Sequence, residues 1–146
     1  MFSGSHKNKI IVRKSRKGPV LTMATTNIEK IKKLGEKKKA AKLRKIIRKG
    51  ATYDEIDAVF EELGKIQTRE NFSYLCEMYA FKNPIVHVAV VKAIAACAKP
   101  ENIEIVRHYQ NGETDPEATE ILAARVLELK KENDRIEAEK KAKNGY

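Results

Sequence analysis

Tryptophan is absent from this 146-residue chain, and aromatic residues amount to 6% of it. A hydrophobic core must therefore be built mainly from Ile, Leu, Val and Ala. Cysteine is nearly absent too. Cys76 and Cys97 cannot form a disulfide framework, and neither has a Cys or His nearby at ligand spacing, which argues against a metal site. Both lie within apolar helical patterns and read as small core residues, and reduced thiols suit a cytoplasmic setting. No apolar run approaches the roughly 20 residues that a bilayer span requires, so no membrane partner is expected. The basic front of the chain lacks a continuous apolar stretch and does not read as a secretory signal. A nucleophile–base signature, a Gly-rich phosphate loop and metal-ligand spacing are all missing, so the expectation is a non-enzyme without a cofactor.

Negative charge is scarce at the front. Residues 1–50 carry 17 basic and 2 acidic side chains, a net +15, whereas residues 51–146 carry 13 basic and 18 acidic, a net −5. The chain totals +10. A cationic front on a mildly acidic body suggests a polyanionic partner, although Lys-rich helices can also be no more than well solvated.

What is present is a recurrence. Between Tyr53 and Glu128, the order helix, short polar turn, helix comes round again. Arg69-Glu70-Asn71 precedes Pro100-Glu101-Asn102 by about 31 residues, and Pro84 precedes Pro116 by about 32. Helix pairs recurring at this spacing predict an all-α stack in which each pair buries its apolar face on its neighbour.

Along the chain, residues 1–26 read as a basic, flexible N-terminal arm. Lys9–Arg13 and Pro19–Met23 could pair as a short hairpin, and Met23–Asn27 reads as a natural start, which would make the first 22 residues an upstream extension. Thr26 and Glu29 form a capping-box pattern that predicts a helix from Asn27, with Ile28, Ile31 and Leu34 on one stripe and Gly35 as a weak point. A second segment, Lys37–Lys49, sets Ala40, Leu43, Ile46 and Ile47 on one face and is closed by Gly50. A second capping box, Thr52 with Glu55, opens Tyr53–Ile66. There Ile56, Val59, Phe60 and Leu63 point inward, while Asp54, Glu55, Asp57, Glu61 and Glu62 stay wet. Asn71–Phe81 buries Phe72, Leu75 and Tyr79. Pro84–Ala98, opened by its proline, is the most apolar helix and is expected at the centre. Ile103, Ile105 and Val106 lead a short helix, and Asp115-Pro116 starts the last one, with Ile121, Leu122, Val126 and Leu129 inward. Residues 131–146 read as a charged extension.

These units resemble HEAT repeats of the short prokaryotic type. The resemblance rests on Pro84 and Pro116 opening first helices, on Glu62-Leu63-Gly64-Lys65-Ile66 with its degenerate counterpart Ala95-Ala96-Cys97-Ala98, and on the turns Gln67–Glu70 and Lys99-Pro100-Glu101. Leu34-Gly35 matches Leu63-Gly64 about 29 residues on. Asp54-Glu55 departs from the family's frequent Asp-Pro pair. The likeness covers about residues 27–130 and implies an α-α superhelix of about three helix pairs. It implies a scaffold that binds a protein partner and is not catalytic. HEAT-like DNA glycosylases are the enzymatic exception, and their catalytic motif has no match here.

The candidate binding residues are Lys38, Lys39, Lys42, Arg44, Lys45, Arg48 and Lys49, preceded by Lys37. A protein partner is the first reading. DNA or RNA is the second, since such a face would neutralise phosphates largely without regard to sequence. Arg13, Lys14, Arg16 and Lys17 could add an arm to the same partner. Tyr74 and Tyr109 are the candidate exposed stacking groups. His87, inside the most apolar segment, reads as a packing residue, and His108 as a solvated one.

Overall fold

The computed structural model describes the backbone of residues 20–144 and the side chains of residues 27–144. Seven α-helices are found among the described residues: α1 Val20–Glu36, α2 Ala40–Lys49, α3 Tyr53–Gly64, α4 Arg69–Phe81, α5 His87–Cys97, α6 Ile103–Gly112 and α7 Pro116–Lys143. A 3-10 turn, Pro100–Asn102, precedes α6, and no β-strand occurs among these residues. The all-α expectation holds. Two compact units divide the chain after Cys97.

In the first unit α3 packs between α1 and α5 and also meets α2, while α4 packs on α5. The α3 stripe explains its central place: Ile56, Val59, Phe60 and Leu63 are all at most 1% exposed. Truncating a side chain such as Phe60 to alanine would cost about 3–5 kcal/mol. The α3 capping box forms as its sequence dictates, with Thr52 N–H donating to Glu55 Oε1 (2.8 Å) and Glu55 N–H to Thr52 Oγ1 (3.3 Å). Glu55 is not wet, however. At 3% exposure its second oxygen accepts from Asn27 Nδ2 of α1 at 2.7 Å. Glu62 is likewise buried, at 4%. Both carboxylates sit at the flank of α3 that α1 covers, which a one-sided helical pattern does not reveal.

Gly35, next to the last residue of α1, belongs to that contact. A Cβ there would lie 2.8 Å from Glu62 Cβ, inside any normal contact distance. Its counterpart Gly64 faces α5, where a Cβ would approach Ala93 Cα to 3.1 Å. The two matched Leu-Gly pairs thus mark successive close approaches, α1 to α3 and α3 to α5.

Four helix starts differ from the sequence reading, that of α4 only slightly, since it opens at Arg69 behind its Thr68 cap and not at Asn71. The α1 helix already runs at Val20, so the Thr26–Glu29 pattern lies inside a helix. Residues 20–23, half of the proposed hairpin, are therefore helical, and its other half, Lys9–Arg13, lies outside the described residues, as does the rest of the basic arm. The lysine-rich second segment becomes helical at Ala40, because Lys38, with φ 56°, makes the left-handed turn that ends α1. Lys38 N–H donates to Gly35 C=O and Lys39 N–H to Leu34 C=O, both at 2.9 Å, the paired bonds of a Schellman motif. Finally, Pro84 lies in a turn and α5 begins at His87. Asn83 Oδ1 accepts from Ile85 N–H (3.0 Å) and Asn83 C=O from Val86 N–H (3.2 Å), and the helix forms only beyond that turn. Ile85, in that turn, is left exposed, as is Ala96 on α5, so this most apolar segment is not buried all round.

In the second unit α6 and α7 pack together and the 3-10 turn packs on α7. Asp115 caps α7 by accepting from Ala118 N–H at 2.9 Å, with Pro116 in the first turn. Ala118, Leu122, Val126 and Leu129 are buried, with Ile121 half-buried. Arg125 donates to Ala98 C=O (2.7 Å) and Asn133 to Pro100 C=O (3.0 Å), tying the turn to the helix. Val106 is buried, but Ile105 is exposed and does not point inward.

Candidate polyanion-binding face

The α2 sequence AAKLRKIIRK sets its own orientation. Leu43 and Ile47, one turn apart, are fully buried, with Ala40 and Ile46 half-buried beside them. At 100° per residue Lys42, Lys45, Arg48 and Lys49 then fall on the opposite arc, and all four are exposed. None of them has an ion-pair partner among the described residues. Lys38 and Lys39, also exposed, continue the charge at the N-terminal end of the helix. Four of the seven candidate residues therefore share the outer side of α2, while Lys38 lines the cleft between α1 and α3.

Arg44 is the exception. It is half-buried, its guanidinium carbon sits 5.2 Å from the centroid of the Tyr74 ring of α4, and Nη2 lies 3.6 Å from Glu70 Oε1. Arg44 joins α2 to α4 and is not a free cation. Tyr74 is correspondingly no exposed stacking group. Burial pushes its phenol up to about 12, against the opposing pull of the Arg44 and Arg48 charges. Tyr109 is also half-buried, its ring 6.1 Å from that of the exposed His108. His87 packs as expected, 5.3 Å from the Tyr79 ring.

An open cleft between α1 and α3 is lined by Lys32, Gly35, Glu36, Lys38, Glu61, Glu62 and Lys65. It holds as many lysines as carboxylates. The most buried of these carboxylates, Glu62, accepts from Lys65 Nζ at 3.0 Å, and this bond holds the Lys65 ammonium above its usual range. No group of three or more His, Cys, Asp or Glu side chains that could hold a metal ion is found among the described residues. No described helix is long and apolar enough to cross a membrane.

A buried amide escaped the sequence reading. Asn71, fully buried, donates from Nδ2 to Leu63 C=O (2.6 Å) and Ile66 C=O (2.9 Å), closing the C-terminal end of α3. The Cys97 thiol donates to the same Ile66 carbonyl at 3.3 Å. The signal was there, since Asn71 follows Thr68 by the three residues of a cap, but nothing in the periodicity aims its side chain backward. Comparison of the chain with known protein families, with curated proteins and with solved structures finds no match.

Proposed function

We propose that this protein is a non-catalytic interaction module, HEAT-like in build, which holds a cationic helix face against an acidic partner. The observation that carries the reading is the outer arc of α2: Lys42, Lys45, Arg48 and Lys49 are exposed together, opposite Leu43 and Ile47. Four like charges one turn apart repel one another, and an acidic partner relieves that repulsion. The repeat-like build is supported by the order α1, α3, α5 of neighbouring helices, with Gly35 and Gly64 at matching close approaches. Cys76 and Cys97, neither of them in a disulfide, suit a cytoplasmic setting.

The test compares the protein with two triple variants of equal net charge. One carries Lys42→Glu, Lys45→Glu and Lys49→Glu on α2. The other carries Lys140→Glu, Lys141→Glu and Lys143→Glu near the end of α7. Retention on immobilised heparin and on poly-glutamate is measured at about 50 mM salt, where exposed charges are weakly screened. The parent and the α7 variant are expected to be retained and the α2 variant released. Equal loss in both variants would assign binding to overall charge and overturn the reading.

A further inference from the structure

We infer that the α2 face takes the phosphate backbone of duplex nucleic acid, without reading its sequence. This rests on the reading of α2 as the binding face and names the class of partner that fits it. An acidic protein surface is the competing occupant, and the make-up of the face weighs against it. Protein interfaces draw their affinity from desolvated apolar or aromatic anchors, and lysine is depleted at their centres. The exposed large apolar side chains of the described residues are Tyr53, Phe81, Ile85, Ile105 and Leu127, and none lies on α2. Among Lys42, Lys45, Arg48 and Lys49 the helix itself offers no such anchor, and Tyr53 at the start of α3 is the one exposed aromatic close to it in sequence.

Phosphate recognition needs no anchor. Ammonium groups can stay partly hydrated and still release the counterions condensed on the polyanion, which is where the free energy arises. Seven residues separate Lys42 from Lys49, about 10 Å along a helix axis. That is about three steps of roughly 3.4 Å along one strand, so the four cations can meet about four successive phosphates.

The same geometry limits base reading and favours duplex over single strand. Of the two guanidiniums on α2, Arg44 is held by the Tyr74 ring and Glu70 and is not free to fork onto a guanine edge, which leaves Arg48 alone among lysines. Tyr74 lies half-buried beneath it and offers no face on which an unpaired base could stack.

The test is fluorescence anisotropy with a duplex DNA 20-mer of mixed sequence, the same length of duplex RNA, one DNA strand alone, and a poly-glutamate peptide of matched charge. The expected result is tighter binding of one or both duplexes than of the single strand or peptide, by about tenfold or more. Scrambling the sequence should change little, and log K should fall against log salt with a slope of about −3 to −4, as about four neutralised phosphates require. The α2 triple variant should lose this binding and the α7 variant keep it. Poly-glutamate bound as tightly as duplex, with the α2 variant defective for both, would overturn the partner class and leave the α2 face standing. A single strand bound more tightly than duplex would also overturn it. Duplex binding lost equally in both variants, or absent at about 50 mM salt, would remove the face along with the partner.

Discussion

At Asn71 a single amide does the work of a helix terminator. Its Nδ2 donates to the Leu63 and Ile66 carbonyls while its Oδ1 stays buried without a hydrogen-bond partner. The arrangement is directional, because only a donor can face two carbonyl oxygens. Asn71→Ala should therefore cost about 1–3 kcal/mol in unfolding free energy. Asn71→Asp should cost more, since it brings a carboxylate towards those oxygens in a site sealed from water. Urea titrations of the three proteins at pH 7 check the order, and an aspartate variant as stable as the alanine one would show that the amide is not what closes α3. Tyr74 makes a pH-dependent case. Burial raises its phenol from 10 to about 12, so the folded state keeps a proton that the unfolded state releases. The stability from this group is complete below about pH 10 and is lost as pH climbs towards 12. Tyr74→Phe keeps the ring under Arg44 and removes the titration. The stability of the parent relative to the Phe variant should therefore fall between pH 9 and 12, and a constant difference would show that the phenol is not shielded.

Helix elements expose where the sequence was legible and where it was not. The start of α3, the α7 start at Asp115-Pro116 and the inward sets Ile56–Leu63 and Leu122–Leu129 follow from caps and periodicity alone, because both are local. Pro84 misled because a proline suits a turn as well as a first helical residue, and here Asn83 forms the turn. Glu55 and Glu62 misled because a carboxylate is wet or buried according to its neighbour, and α1 is some twenty or more residues away in sequence. Most of the candidate face was legible, since a Lys-rich arc opposite Leu43 and Ile47 can face only outward; Arg44 was not, because its partners belong to α4. Lys38 belongs to this scale as well. A non-glycine residue in the left-handed position costs about 1 kcal/mol, so Lys38→Gly should stabilise the protein by about 0.5–1 kcal/mol. Lys82→Gly should act in the same direction, as Lys82 ends α4 with φ 49°. If Lys38 also contacts phosphate, its removal should lower the salt slope of duplex binding by about 1. Thermal melts and the anisotropy series separate the two effects, and a destabilised Lys38→Gly protein would refute the strain.

Across the whole molecule the uneven charge sets two opposite responses to salt. Residues 1–50 hold a net +15, and on α2 the cations stand three and four residues apart, about 5–6 Å between neighbours. That spacing is well inside the screening length of about 10 Å at 0.1 M salt, so repulsion within this face is felt at low salt and fades as salt rises. The opposing term is the set of surface ion pairs, which salt weakens. Their partners are largely exposed, as with Glu70 opposite Arg44 at 84% side-chain exposure and Lys65 opposite Glu62 at 61%. Pairs of that kind are worth about 0–1 kcal/mol each, and the long flexible side chains give part of that back in entropy. Repulsion among a dense cationic row should outweigh them. Unfolding free energy measured in urea is thus expected to rise between about 0.05 and 0.5 M NaCl, by roughly 1 kcal/mol, while duplex affinity falls steeply over the same range. The α2 triple variant, with its row broken by glutamates, should show neither response. A parent protein that loses stability with salt would mean that attraction governs this surface, and a face already satisfied by its own carboxylates would have little reason to seek phosphate.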